Sequence, residues 1–222
     1  MTPFQFSITD TLRDTWHLFK KHLVFFLGMA VVSIVLGLGS NHHTPVLLSV
    51  FIAIVSFVWG IIWMKVSLAA ARGEEYKLSF GSIQSMLPTW HQAFTLIGVS
   101  ILSGLIILAG LIALVIPGLY VMFRVAFATL VCIDRNEGIR ASVRTSWRIT
   151  KGHYWKIVGV VLVVALLYLC GAILFGVGLL VAYPLASILL AKLYLALIKE
   201  HEKGETIVSQ PAEIPAHTEI VK

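Results

Sequence analysis

"RASVRTSWRITKGHYWK", residues 140–156, runs directly into "IVGVVLVVALLYLCGAILFGVGLLVAYPLASILLA", residues 157–191. The first stretch holds three arginines and two lysines. Read as a helix, it sets Arg140, Arg144, Arg148 and Lys151 on one line and Ile139, Val143 and Trp147 on a second, about 100° around the axis. A basic stripe beside an apolar one suits a helix lying in a membrane surface. The apolar run at 157–191 argues against nucleic acid as the partner, since no water-soluble domain could leave it exposed.

The rest of the chain agrees with that reading. Of its 222 residues 58% are hydrophobic and 13% charged, far from the roughly 25% charge of soluble domains. The composition is that of an integral membrane protein, and in that class the net charge of +6 reports orientation and lipid contact first. Cys132 and Cys170 fall in separate apolar segments at opposite membrane faces, too far apart to bridge, and read as small apolar residues. The first apolar run begins near Leu23 behind a long charged segment, which is not the pattern of a cleaved signal peptide.

Six segments reach the length and apolarity of spanning helices, near 22–39, 46–70, 93–116, 119–134, 155–174 and 179–199. The fourth is short, reaching only about 24 Å at ~1.5 Å per residue, so it must extend, sit in thinned bilayer or be sheltered. Three breaks are brief and rich in glycine or proline: "SNHHTP" at 40–45, "IPG" at 116–118 and "FGVG" at 175–178. They contain no Lys or Arg. The N-terminal segment, the second and fourth connections and the tail hold fourteen between them, including Arg13, Lys20, Arg72, Lys77, Arg135, Lys156 and Lys203. The positive-inside rule then predicts both termini on the cytoplasmic side. Residues 200–222, polar and without periodicity, are expected to be a disordered cytoplasmic tail.

An internal repeat is visible. Shifting "ITDTLRDTWHLFKKH", residues 8–22, by 131 positions lays it on "IRASVRTSWRITKGH", residues 139–153, matching Ile8, Arg13, Trp16, Lys20 and His22 to Ile139, Arg144, Trp147, Lys151 and His153. A fainter echo, "PTWHQAF" at 88–94, precedes another span. This predicts a threefold organisation, with amphipathic interfacial helices at 7–21, 79–91 and 138–151 on the cytoplasmic side. Trp16, Trp90 and Trp147 stand where each chain meets the bilayer, a position suited to indoles. Trp59 and Trp63, four apart inside a span, read as packing residues.

Residues 116–164 carry a further pattern: Ile116, Pro117 and Gly118, then Arg124, Asp134, Ala141, Ser146, Trp147, Thr150, Lys151 and Gly152. It resembles a motif in a loose group of bacterial six-span membrane proteins, largely uncharacterised, that includes the membrane domain attached to some glycerophosphodiester phosphodiesterases. The resemblance covers about a quarter of the chain and implies an all-α polytopic bundle in a bacterial cytoplasmic (inner) membrane. It implies no phosphodiesterase activity, which in fused members belongs to a separate soluble barrel.

Enzymatic readings lack parts. No Asp or Glu lies inside a span, so paired-carboxylate chemistry and buried proton relays have nothing to use. No G-x-S-x-G, H-E-x-x-H, Walker loop or C-x-x-C occurs. His42 and His43 share one loop without a third ligand and read as solvated; no cofactor and no metal is expected. Three cations within spans stand out. Lys65 and Lys192 lie seven residues, about 10 Å, from the basic residues at the inner boundary, within a lysine stem's snorkelling reach. Arg124, ten residues from Asp134, should sit about 15 Å deep, near mid-span. There it is either satisfied by carbonyls and hydroxyls or holds an anionic guest such as a lipid phosphate. Two functions follow. One is a non-catalytic membrane module that binds or organises anionic lipid through Arg140, Arg144, Arg148 and Lys151, with or without a protein partner at its cytoplasmic face. The other is a transporter or channel for an anionic or amphipathic solute, anchored by Arg124 in a polar cavity open to one face, with Lys65 and Lys192 as further candidate contacts.

Overall fold

A computed structural model describes residues 7–39, 45–74, 86–113, 115–173 and 177–209 of the chain. The elements are α1 (Ile8–Lys21), α2 (Leu23–Leu38), α3 (Val46–Ala71), α4 (Trp90–Ala113), α5 (Val115–Val125), α6 (Ala128–Arg135), α7 (Ile139–Ile149), α8 (Tyr154–Ile173) and α9 (Val177–Ser209). Among the described residues there is no strand.

Four helices, α3, α4, α8 and α9, are each long and apolar enough to cross a membrane. A fifth crossing arises if α1 and α2, which meet at 89°, count together. The corner falls at His22 (φ −115°, ψ 32°), which ends one helix and begins the next.

The fold turns on α9. In its most apolar window 61% of residues are buried, against 11–22% in the other three long helices, so it is the most enclosed of the four. It packs against α8, α3, α1 and α2. Leu189, Leu193, Tyr194 and Leu197 from α9 join Ile157 and Val160 of α8 in the main core, while Leu185 and Ile188 meet Phe19, Phe26 and Met29 in a second. A third core joins Ile61 of α3, Leu96 and Val99 of α4 and Ala128 and Cys132 of α6. Lipid tails are as apolar as these side chains, so the bundle coheres through close packing rather than exclusion of water. Gly171 and Gly178 show how close: a Cβ on Gly171 would lie 2.9 Å from the Gly178 carbonyl carbon.

Several expectations need correction. Residues 119–134 form no single helix; α5 ends at Val125 and α6 starts at Ala128, a break that no glycine or proline marks. "IPG" at 116–118 does not close a span but lies in the first turn of α5, where proline lacks only a donor that would have no partner anyway. The third interfacial helix at 79–91 lies largely outside the described residues, and 87–89 are irregular before α4 opens at Trp90. The tail does not begin at 200: α9 stays helical to Ser209. Its extension is anchored, with Glu200 Oε2 3.1 Å from His153 Nε2 and Glu202 paired to Arg135. Residues 210–222 lie outside the described residues.

Candidate functional site

α7 has three faces, one more than its sequence advertises. Ser142, Ser146 and Ile149, with Thr150 just beyond, are buried against the bundle. The Ser146 hydroxyl donates to the Arg124 carbonyl at 2.8 Å, and the Thr145 hydroxyl to Glu137 Oε2 at 2.9 Å. On one flank come Ile139, Val143 and Trp147, partly exposed. Beyond them lie Arg140, Arg144, Arg148 and Lys151, all exposed. Ile139 seats on α4 at Gly98, where any Cβ would collide with Ile139 Cδ1.

Between α4 and α7 this leaves an open groove of about 460 Å³. Leu102, Val143 and Trp147 form its apolar wall, and Arg140, Arg144 and Arg148 its basic rim. No carboxylate pairs with Arg140 or Arg144 among the described residues. Lys151 borders a smaller hollow of about 220 Å³ with Arg148, His153, Glu200 and His201.

Arg124 is not an isolated mid-span charge. Its Nη1 donates to the Trp147 carbonyl at 2.9 Å and its Nε to the Tyr120 hydroxyl at 2.9 Å, with Nη2 bonded to the same hydroxyl. The guanidinium also lies over the Tyr120 and Trp147 rings, 4.9 and 5.1 Å from their centroids. Carbonyl, hydroxyl and two aromatic faces together stabilise the charge without an acid. The break at 126–127 separates α5, which carries Arg124, from α6, and α5 packs on α7.

Lys65 Nζ donates to Gln92 Oε1 at 2.9 Å, and Gln92 Nε2 donates to Asn136 Oδ1 at 2.9 Å. Beside them the Asp134 side chain, 6% exposed, binds Arg72 and accepts from the Tyr194 hydroxyl at 3.0 Å. Arg72 reaches it because α3 ends in a tight cap: Gly73 (φ +76°) turns the chain and the Glu74 amide returns to the Ala69 carbonyl at 3.0 Å. These groups line a polar cavity of about 420 Å³. Lys192 is elsewhere, on α9. Of Lys65, Arg124 and Lys192, only Lys65 lines the polar cavity.

Sequence reasoning missed Gln92, Arg72 and Tyr194 as partners. The one available signal was chemical: Gln92 and Tyr194 each place a polar end in an apolar helix, where it needs a partner. No group of three or more His, Cys, Asp or Glu suited to a metal occurs among the described residues.

The chain is, by its helices, a helical membrane protein with a basic amphipathic helix against the bundle. No protein-family model, curated protein or solved structure matches it.

Proposed function

We propose that this is a non-catalytic, multi-pass protein of a bacterial cytoplasmic membrane that binds or organises anionic lipid through α7. In this reading α2 and the broken pair α5–α6 add shorter crossings to the four long ones, giving six. Both termini then face the cytoplasm, and α1 and α7 are interfacial members of one repeated unit, with the segment before α4 the third. The distant kinship to membrane domains attached to phosphodiesterases belongs to the same proposal.

One observation carries it: three arginines rim a groove whose wall is apolar, and two of them have no carboxylate partner among the described residues. A phosphate at the rim and an acyl chain along Leu102 and Trp147 satisfy both halves at once. An acidic protein partner would use the rim but leave the apolar wall bare. The transport reading needs a polar cavity reaching Arg124, whereas Arg124 is bonded to the Trp147 carbonyl and the Tyr120 hydroxyl.

The test is lipid retention by native mass spectrometry after mild delipidation. Each interfacial cation contributes about 1 kcal/mol. Arg140→Ala with Arg144→Ala should thus weaken retention of an anionic phospholipid roughly 30-fold. Unchanged retention would remove the proposal.

A further inference from the structure

A second groove lies on a different part of the bundle and shares no residue with the one above. α3 and α4 follow one another in the chain yet each packs mainly on other helices. The space between them has two compartments. The larger, about 690 Å³, is apolar, with Val50, Ile54 and Phe57 on one side and Phe94 and Ile97 on the other. The smaller is the polar cavity of about 420 Å³ that holds Lys65, Arg72, Thr89 and Gln92. Leu87 borders both. The crevice is therefore amphiphilic along its length.

Among the described residues its charges are two cations, Lys65 and Arg72, and two carboxylates, Asp134 and Glu74. Asp134 faces the polar compartment but is already bound by Arg72 and the Tyr194 hydroxyl. Glu74 lies at its edge. Lys65 projects from an apolar helix and donates to the neutral oxygen of Gln92. Among the described residues no carboxylate pairs with it. An ammonium among spanning helices whose hydrogen-bond partner is a neutral amide is a costly arrangement. An anion beside it lowers that cost, and an apolar compartment within one side chain's reach dictates what the anion is attached to.

We infer that the α3–α4 crevice is a site for a single phospholipid, its phosphate against Lys65 and an acyl chain between Ile54, Phe57 and Phe94. A free phosphate ester would fill the polar compartment but leave the larger one without an occupant. The site does not depend on the role proposed for α7, and the experiment keeps the two apart.

Full-length protein in phosphatidylcholine nanodiscs is doped with a phospholipid carrying a diazirine at one acyl terminus, irradiated and mapped by peptide mass spectrometry. Labelling should concentrate on residues 50–58 and 93–97, at least threefold above the lipid-facing side of α8. Ala93→Phe, which fills the apolar compartment and touches no polar group, should abolish that excess. Lys65→Met should reduce it severalfold, Lys65→Arg should retain it, and the Arg140 and Arg144 double replacement should leave it unchanged. Even labelling around the bundle, or an excess indifferent to both Ala93→Phe and Lys65→Met, would overturn the site. Loss of the excess when glycerol phosphate is added would overturn the lipid in favour of a soluble phosphate ester.

Discussion

α1 and α7 are built alike and charged differently. The 131-residue shift carries Ile8, the first residue of α1, onto Ile139, the first of α7. Buried Thr15 maps onto buried Ser146 and buried Phe19 onto buried Thr150. Trp16 and Trp147 are exposed to nearly equal extents, 40% and 38%. Each carries a cation on its indole, Lys20 at 5.1 Å in one case and Arg124 at 5.1 Å in the other. Even the corner histidines correspond, His22 before α2 and His153 before α8. The charges do not. α1 sets Asp10 and Asp14 among Arg13, Lys20 and Lys21, whereas α7 has three arginines and no acid. On the proposed function, helix placement at the interface and affinity for anions are separable properties. The buried hydroxyl face and the tryptophan set the first, and the residues on the outer line set the second.

The comparison can be broken most forcefully by removing charge from each helix in turn. Replacing Arg140, Arg144 and Arg148 with Gln should cost about 3 kcal/mol of anionic-lipid affinity, on the order of a hundredfold. The matching replacement of Arg13, Lys20 and Lys21 should cost less than about tenfold, because two aspartates already offset them; titration with anionic vesicles at low salt reads both. Equal losses would dissolve the distinction.

A second experiment separates binding from folding. Asp134→Ala removes the acceptor of Arg72 and Tyr194 and should lower stability by about 2 kcal/mol, measured as the midpoint of thermal aggregation in detergent, with lipid affinity at α7 unchanged in the surviving fold.

The finest contrast lies in the buried hydroxyls. The Ser146 hydroxyl reaches across to the Arg124 carbonyl, while the Thr15 hydroxyl bonds the Thr11 carbonyl within its own helix. Ser146→Ala should cost about 1 kcal/mol and Thr15→Ala less, by the same thermal measurement.

How far the sequence could be read depended on whether the signal was local. The apolar runs of α3, α4, α8 and α9 and the amphipathic period of α7 are local properties, and all were legible. The break at Ala126 and Phe127 was not, because neither residue is a helix breaker. The serine face of α7 was equally silent, since Ser142 and Ser146 are neither apolar nor charged enough to register in a periodicity. The partners of Arg124 were not legible either. Its carbonyl partner at Trp147 and the Asp134–Tyr194 bond join residues far apart in sequence, and no spacing rule reaches across such distances. The persistence of α9 to Ser209 likewise rests on Arg135 and His153, which hold Glu202 and Glu200 from outside that helix.

The central position of α9 also sets an order of events. α1, α2 and α3 leave the ribosome well before α9, and until it arrives Phe26, Met29 and Val66 lack Leu185 and Ile188, the residues that α9 contributes to their core. Biogenesis of this bundle therefore waits on α9, and a chain interrupted before residue 177 would leave a ring of helices with no hub.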